Sequence, residues 1–228
     1  MPIVRAGNPA GDAMMSEMAL LHVLRHHREL PRLADAQRRA VWDNQRPVRA
    51  ADRRVGVLGL GVIGAAAATA LARHGFQVIG WSRTAKAIPG VDCRHGADGF
   101  AAVLGSSSIV VNLLALTDTT ENILDAAAFA AMPTGAAVIN LGRGQHVVDE
   151  DLLAALESGH LAAATLDVFR TEPLPPDHPY WQHPRVTVTP HVSRALYPED
   201  FAPQVAAQVH RLQTGAPPLQ AVDRDRGY

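Results

Sequence analysis

Three side chains that could act together in acid–base chemistry lie in the second half of the chain. Arg143 stands between two glycines in NLGRG, Glu172 lies in DVFRTEPLP, and His191 lies in VTVTPHVS. An arginine can bind a carboxylate and polarise the adjacent carbonyl, and a histidine can protonate the carbonyl oxygen as hydride reaches the carbon. A glutamate bonded to the imidazole would favour the protonated ring. The set could therefore reduce a 2-keto acid, although singly the three have ordinary interpretations: a turn cap, a solvated carboxylate and a structural histidine.

A glycine-rich turn earlier in the chain has the pattern of a dinucleotide site. The apolar stretch RVGVL leads into GLGVIG, and an alanine-rich helical stretch follows. In this context Gly59 permits the tight turn, Gly61 lets the backbone approach a pyrophosphate, and Gly64 keeps the helix close to the sheet. Val62 and Ile63 open the helix, whose N-terminus offers N–H groups and positive dipole to an anion. The alternative is a glycine turn without a ligand, and we favour the dinucleotide.

A basic cluster follows the next apolar stretch, in VIGWSRTAK. Ser82 lies 23 residues after Gly59, close to the position roughly 20 residues downstream where an acid binds the ribose of NAD. That acid would repel a 2′-phosphate, whereas Arg83 offers a fork of donors to phosphate oxygens. Ser82 and Thr84 add hydroxyls, and Lys86 adds a second positive charge. The cluster therefore predicts NADPH rather than NADH, the alternative being a solvated basic loop.

The elements that must position these residues alternate between short apolar strands and helical stretches. This alternation is typical of βαβ units around a parallel sheet and predicts an α/β Rossmann-type doubly wound fold with flanking linker helices. The predicted strands are 54–58, 77–81, 108–113, 137–140, 163–167 and 186–189. The predicted helices are 14–30, 33–42, 65–73, 99–104, 121–132, 150–156 and 203–213.

Composition excludes several other classes of protein. The 228 residues include 21 Lys and Arg against 22 Asp and Glu, so no basic excess favours nucleic acid or an anionic membrane. No apolar run is long enough to cross a bilayer. The single Cys93 fits a reducing cytoplasm and indicates no metal site. His22, His26 and His27 lack acidic or cysteine neighbours, so we interpret them as the polar face of the first helix rather than as metal ligands.

The order of these motifs resembles the D-isomer-specific 2-hydroxyacid dehydrogenase family. GLGVIG, NLGRGQHVVDEDLL, LDVFRTEPLP and VTVTPHVS carry the resemblance, and WSRT with the terminal VDRDRGY is similar to its glyoxylate/hydroxypyruvate reductases of the A type. The resemblance implies Arg143, Glu172 and His191 as catalytic residues, NADPH as hydride donor, glyoxylate or hydroxypyruvate as substrate, and a homodimer. It also implies cofactor contacts from further residues, namely Leu114, Ala115, Leu116, Thr117, Leu141, Gly142, Arg143, Asp167, His191 and Ser193.

Two departures from the family pattern concern local residues. Ala115 stands where relatives usually carry proline, and Val192-Ser193 replaces the commoner apolar residue and glycine after the histidine. Neither removes a reactive group, but the second could alter the nicotinamide pocket. A β-hydroxyacid dehydrogenase is disfavoured, because no catalytic lysine stands at a matching place.

A third departure concerns a whole domain. The family's substrate-binding domain carries a glycine-containing loop resembling AGVD, and these 228 residues contain no such loop. We therefore expect linker helices in 1–45, an NADP-binding domain in 46–195, and a C-terminal helix and tail in 196–228. We expect these residues by themselves to fold and bind NADPH but to reduce keto acids poorly, and the alternative function is that of a noncatalytic NADP-binding fragment.

Overall fold

A seven-stranded parallel sheet forms the centre of the molecule, in the order β3-β2-β1-β4-β5-β6-β7. The computed structural model describes residues 3–4, 9–195, 197–219 and 221. The reversal of strand order beside β1 makes this a doubly wound Rossmann-type α/β fold, as the sequence predicts. The strands are β1 (Arg54–Leu58), β2 (Gln77–Ser82), β3 (Val91–His95), β4 (Ile109–Asn112), β5 (Ala136–Asn140), β6 (Leu161–Leu166) and β7 (Val186–Val188).

Strand β3 is the one strand that the sequence analysis misses. It lies at the edge of the sheet and pairs in parallel with β2. Its sequence VDCRH is mostly polar and none of its residues is buried. Its two apolar residues, Val91 and Cys93, are only half-buried against the core. The alternation is therefore too short to carry the signal by which the other six strands were predicted.

In the described part of the chain, seven α-helices flank the sheet. The first begins and ends before the predicted 14–30, and the last begins earlier than predicted and runs through Pro203. The helices are α1 (Pro9–His27), α2 (Leu30–Arg38), α3 (Val62–Arg73), α4 (Gly96–Ser106), α5 (Ala126–Ala130), α6 (Asp149–Glu157) and α7 (Pro198–Gln213).

The predicted helix 121–132 is wrong in its first part. Helix α5 covers only Ala126–Ala130, and the Asp125 carboxylate caps it by accepting from the Ala128 N–H at 2.9 Å. Before the cap, the backbone pairs with another segment: Leu124 N donates to His146 O at 2.9 Å, and Val148 N donates to Leu124 O at 3.0 Å. These tertiary hydrogen bonds outweigh the local helical propensity.

Apolar side chains fill a core on each face of the sheet. Helices α1 and α3 cover one face, with Met15, Ala19, Val23, Ala67, Ala68 and Leu71 buried against β1, β4 and β5. Helices α4, α5 and α6 cover the other, with Val103, Leu104, Phe129, Leu152 and Leu156 buried. Because both faces are covered, the interior positions of the central strands β1, β4 and β5 are apolar.

The histidines of α1 lie in the core, so their interpretation as a polar face is wrong. His22, His26 and His27 are 3%, 9% and 6% exposed. They share the buried stripe of Met15, Ala19 and Val23 at helical spacing. His26 Nε2 contacts Thr165 Oγ1 of β6 at 2.9 Å, and burial, followed by the charge of Arg25, lowers the pKa of His26 to about 4.

The chain between α2 and β1 lies outside the sheet. Residues 39–49 form an exposed connection in which Trp42 is 93% exposed. The domain divisions after residues 45 and 195 stay predictions, although α1 shares a core with the sheet. The terminal VDRDRGY lies outside the described residues. None of the helices in the described part of the chain combines the length and apolar character that spanning a membrane requires.

Candidate active site

The three candidate catalytic residues meet at the carboxyl edge of the sheet. Arg143 follows β5, Glu172 follows β6, and His191 follows β7. They line one cleft of about 240 Å³. Loops that follow adjacent parallel strands converge at this edge, which is where ligands bind in open α/β sheets. The other residues of the cleft are Gly144, Gln145, Phe169 and Arg170.

His191 and Glu172 form a hydrogen-bonded pair. The Nδ1 atom of His191 lies 2.7 Å from Glu172 Oε2. Because a carboxylate only accepts, Nδ1 is the donor, and Nε2 is the nitrogen left for a substrate. Glu172 Oε1 accepts from the Phe169 N–H at 2.9 Å. Partial burial acts to raise the pKa of Glu172, but the hydrogen bonds from His191 and Phe169 outweigh it and hold that pKa below its ordinary value.

Asp167 positions the backbone that carries His191. His191 has φ 54°, in the left-handed region that non-glycine residues seldom adopt. The Asp167 carbonyl accepts from His191 N at 2.8 Å. The Asp167 carboxylate, on a residue 1% exposed, accepts from Thr189 Oγ1 at 2.6 Å, Val192 N at 3.1 Å and Ser193 N at 3.0 Å. These bonds occupy both carboxylate oxygens within the loop, and Ser193 itself is buried.

Close packing explains the two glycines beside Arg143. A Cβ on Gly144 would lie 1.8 Å from the Phe169 carbonyl carbon, and a Cβ on Gly142 would lie 2.9 Å from His146 Nδ1. Both positions therefore exclude a side chain. The Arg143 side chain is exposed and donates from Nη1 to Gly142 O at 2.7 Å.

A buried polar network holds the Arg143 loop, and the sequence analysis misses it. Asn112 and Asn140 end the paired strands β4 and β5, and Asn112 Nδ2 donates to Asn140 Oδ1 at 2.9 Å. Asn112 Nδ2 also lies 2.9 Å from His146 Nδ1. All three residues are fully buried. The recurrence of asparagine at the end of two apolar strands, IVVN and AVIN, is the signal that could have found them.

The glycine turn has the geometry of a phosphate cradle. Gly59 has φ +97°, and a Cβ there would lie 2.7 Å from Leu113 O, while a Cβ on Gly64 would lie 1.7 Å from Gly59 O. A Cβ on Gly61 would meet no described atom within 4 Å. Gly61 is the N-cap of α3, so the N–H groups of Val62 and Ile63 precede the helical hydrogen bonds. The turn is closed against the protein and open on the side where a pyrophosphate would bind.

The four residues of the basic cluster divide into two groups. Ser82 ends β2, is 8% exposed, and donates from Oγ to the Thr84 carbonyl at 2.8 Å. Its hydroxyl therefore shapes the loop instead of facing outward. Arg83, Thr84 and Lys86 are exposed at the carboxyl end of β2, beside the glycine turn. They are accessible to a phosphate.

The segment 113–117 connects to the glycine turn and to the asparagine pair. Leu113 N donates to Leu58 O at 2.8 Å, and Leu114 N donates to Asn112 Oδ1 at 3.2 Å. Leu114 is half-buried, and Ala115 and Leu116 are exposed. Thr117 N donates to Thr120 Oγ1 at 2.8 Å, within a turn. The remaining predicted contact, Leu141, is 2% exposed and packs in the core beneath the loop.

Comparisons with known proteins agree with this geometry. The model of the D-isomer specific 2-hydroxyacid dehydrogenase NAD binding domain matches residues 20–193. The glyoxylate/hydroxypyruvate reductase A of Serratia proteamaculans is 43% identical over 227 residues, which cover 100% of this chain and 72% of the relative.

Solved structures give the same result. A D-isomer specific 2-hydroxyacid dehydrogenase from Xanthobacter autotrophicus, in complex with NADPH and MES, has TM-score 0.96 and 47% identity over 100% of this chain and 94% of its own. An NADPH-dependent glyoxylate/hydroxypyruvate reductase from Sinorhizobium meliloti, in complex with NADP and sulfate, has TM-score 0.94 and 38% identity over 100% of this chain and 73% of its own. The chain therefore belongs to the D-isomer specific 2-hydroxyacid dehydrogenase family.

Proposed function

We propose that the chain carries the catalytic and cofactor-binding residues of an NADPH-dependent reductase that converts glyoxylate or hydroxypyruvate to the 2-hydroxy acid. The observation that carries the proposal is the His191–Glu172 pair at 2.7 Å, in the same cleft as Arg143. The names of the Serratia and Sinorhizobium relatives support the choice of substrate.

Each catalytic residue has a separate task in this reaction. The exposed guanidinium of Arg143 binds the substrate carboxylate and draws electron density from the carbonyl. Since Nδ1 of His191 donates to Glu172, Nε2 of the protonated ring is free to donate to the carbonyl oxygen. Glu172, ionised because its pKa is lowered, stabilises that protonated ring. NADPH, when bound, supplies the hydride to the carbonyl carbon.

The cofactor would be bound at the switch between β1 and β4. The N–H groups at the start of α3 would bind the pyrophosphate, and Gly61 would allow its close approach. Arg83, Thr84 and Lys86 would bind the 2′-phosphate, and the segment 113–117 would flank the cofactor. Asp167 and Ser82 would act through the loops they hold, because their polar side-chain atoms bond the protein itself.

NADPH oxidation with glyoxylate and with hydroxypyruvate tests the proposed reaction. Since the cleft described here is open, we expect slow turnover by these residues alone. The assay therefore also uses the same residues preceded by the part of the Serratia relative outside the match. Keto-acid-dependent NADPH oxidation in the longer polypeptide is expected. NADPH binding without turnover in either polypeptide would favour the noncatalytic NADP-binding alternative.

The Arg83→Asp substitution is expected to weaken NADPH binding and to leave NADH binding nearly unchanged. Losing a charge-assisted phosphate contact should cost about 1.5–3 kcal/mol, which corresponds to a roughly 10–150-fold rise in the NADPH Kd. Fluorescence titration with both cofactors measures this. Arg73→Asp, the same charge change at the far end of α3, is the control. Equal affinity of the wild type for NADPH and NADH would contradict the assignment.

The quaternary structure and the location complete the proposal. We propose a homodimer, by resemblance to the family, and sedimentation velocity at micromolar concentration measures it. The buried face of α1 packs within the chain, so the partly exposed side of α1 around Leu21 is the part left for a partner. A cytoplasmic location fits the single Cys93.

A further inference from the structure

We propose that His146 is a positioning residue for Arg143, holding the Arg143 backbone through its Nδ1 atom and linking it to the cofactor segment. The inference rests on the proposed function, in which Arg143 binds the substrate carboxylate. It assigns a role to a buried histidine that touches neither the cleft nor the cofactor turn.

The backbone of Arg143 is held at both of its polar groups. Its N–H donates to His146 Nδ1 at 3.0 Å. Its carbonyl accepts from His146 N at 3.2 Å and from Asn140 Nδ2 at 3.0 Å. Since the side chain of Arg143 is exposed, these backbone bonds fix the point from which its guanidinium reaches into the cleft. Small displacements of such a group carry large penalties in rate.

The chemistry of its neighbours fixes the tautomer of His146. Arg143 N and Asn112 Nδ2 are both donors, so Nδ1 of the ring must accept from both and the proton lies on Nε2. His146 is 0% exposed. Burial lowers the pKa of the ring and outweighs the opposing hydrogen bonds to the Ala115 and Arg143 backbone, and the charge of Arg143 acts in the same direction as burial. The neutral form that this geometry requires is therefore the favoured one.

The same ring connects the substrate side of the site to the cofactor side. Asn112 donates to His146 Nδ1 and to Asn140 Oδ1, and its own Oδ1 accepts from Leu114 N. Asn140 Oδ1 also accepts from Gly142 N at 3.1 Å. The segment after β4 and the loop after β5 are thus joined by one hydrogen-bonded network in which His146 supplies the acceptor for Arg143.

Two substitutions separate this role from simple packing. His146→Leu fills the buried position of the ring with an apolar side chain and removes the acceptor of the Arg143 N–H. His146→Asn instead places an amide Oδ1 where the ring Nδ1 lies. We expect His146→Leu to increase amide hydrogen exchange at Arg143 and to raise the glyoxylate KM, each about tenfold, with little change in the NADPH Kd. In His146→Asn, both the exchange rate at Arg143 and the glyoxylate KM should lie close to their wild-type values.

A matched control and a measurement on the wild type complete the test. His160→Leu removes a histidine whose Nε2 contacts Phe129 O at 2.9 Å, at the opposite edge of the sheet, and should leave the glyoxylate KM unchanged. Imidazole ¹⁵N NMR of the wild type should show His146 unprotonated at Nδ1, and the opposite tautomer would overturn the proposal. The proposal would also be overturned if His146→Leu left the amide hydrogen exchange at Arg143 unchanged, or if it made that exchange faster without changing the glyoxylate KM. If the wild type lacks turnover, the proposed reaction fails, while Arg143 exchange still decides whether His146 holds the loop.

Discussion

Replacing His191 with alanine is expected to lower kcat/KM for glyoxylate by about 10²–10⁴-fold, the range for loss of a positioned acid or base. The reason is the arrangement of the pair: Glu172 accepts from Nδ1, so Nε2 is the proton donor available to the substrate. The NADPH Kd should stay close to the wild-type value, because the glycine turn and Arg83 lie at other loops. Steady-state kinetics in the longer polypeptide and fluorescence titration measure the two effects.

Two further variants make the His191 result specific. His183→Ala removes a histidine that precedes β7, whereas His191 follows it, and it should retain near wild-type rates. Glu172→Gln removes the carboxylate that stabilises the protonated ring, so the fall in activity on the alkaline side should move to lower pH. A His191→Ala variant with wild-type rates at every pH would refute the assignment of His191 as the acid.

Acid is expected to destabilise the fold by about 3 kcal/mol through His26 alone, between pH 6.5 and about pH 4. Burial lowers the pKa of His26 from 6.5 to about 4. In this interval the unfolded chain binds a proton that the folded chain does not, so stability falls as pH falls, by about 1.4 kcal/mol for each pH unit. The pKa of His22 is also lowered, first by burial and then by Arg25, which adds to the loss in the same direction.

Chemical denaturation at pH 7 and pH 5 measures this dependence. His26→Gln retains a polar group near Thr165 but does not titrate, so its stability should fall less between the two pH values. His74→Gln, at an exposed histidine after α3, should behave like the wild type. An identical pH dependence in the wild type and His26→Gln would show that His26 is not the group responsible.

The architecture could be predicted from the sequence because covered parallel strands are unbroken apolar runs. Strands β1, β4 and β5 are buried on both faces, and helical stretches separate the runs. The local pattern fails where the environment differs. No residue of β3 is fully buried, and residues 122–124 form backbone hydrogen bonds with 145–148 that no local propensity indicates. The polar-face interpretation of the α1 histidines rests on their lack of acidic or cysteine neighbours, yet their spacing matches the buried Met15, Ala19 and Val23.

The meeting of Arg143, Glu172 and His191 in one cleft was predictable because each follows a strand, and the carboxyl ends of parallel strands meet at one edge. The residues that hold these three side chains in place were not predictable. Asn112 and Asn140 lie 28 residues apart, and Asp167 bonds groups up to 26 residues away. These contacts exist only once β4, β5, β6 and β7 lie side by side. The cofactor contact of Asp167, which the family resemblance implies, stays a prediction, and the bonds of its carboxylate to the His191 loop are a feature that the sequence did not indicate.

The glycines on either side of Arg143 limit how the enzyme could be re-engineered or could diverge. Gly144 has the Phe169 carbonyl where any Cβ would stand, and Gly142 has the His146 ring. Variation in substrate preference therefore cannot come from these two positions without rebuilding the loop after β6 or the buried network. Two further side chains border the cleft, but Arg170 donates from Nε to Val147 O at 2.8 Å and so holds a neighbouring loop, which leaves Gln145 as the more tolerant position. A mutational library aimed at new keto acids would best be centred on Gln145.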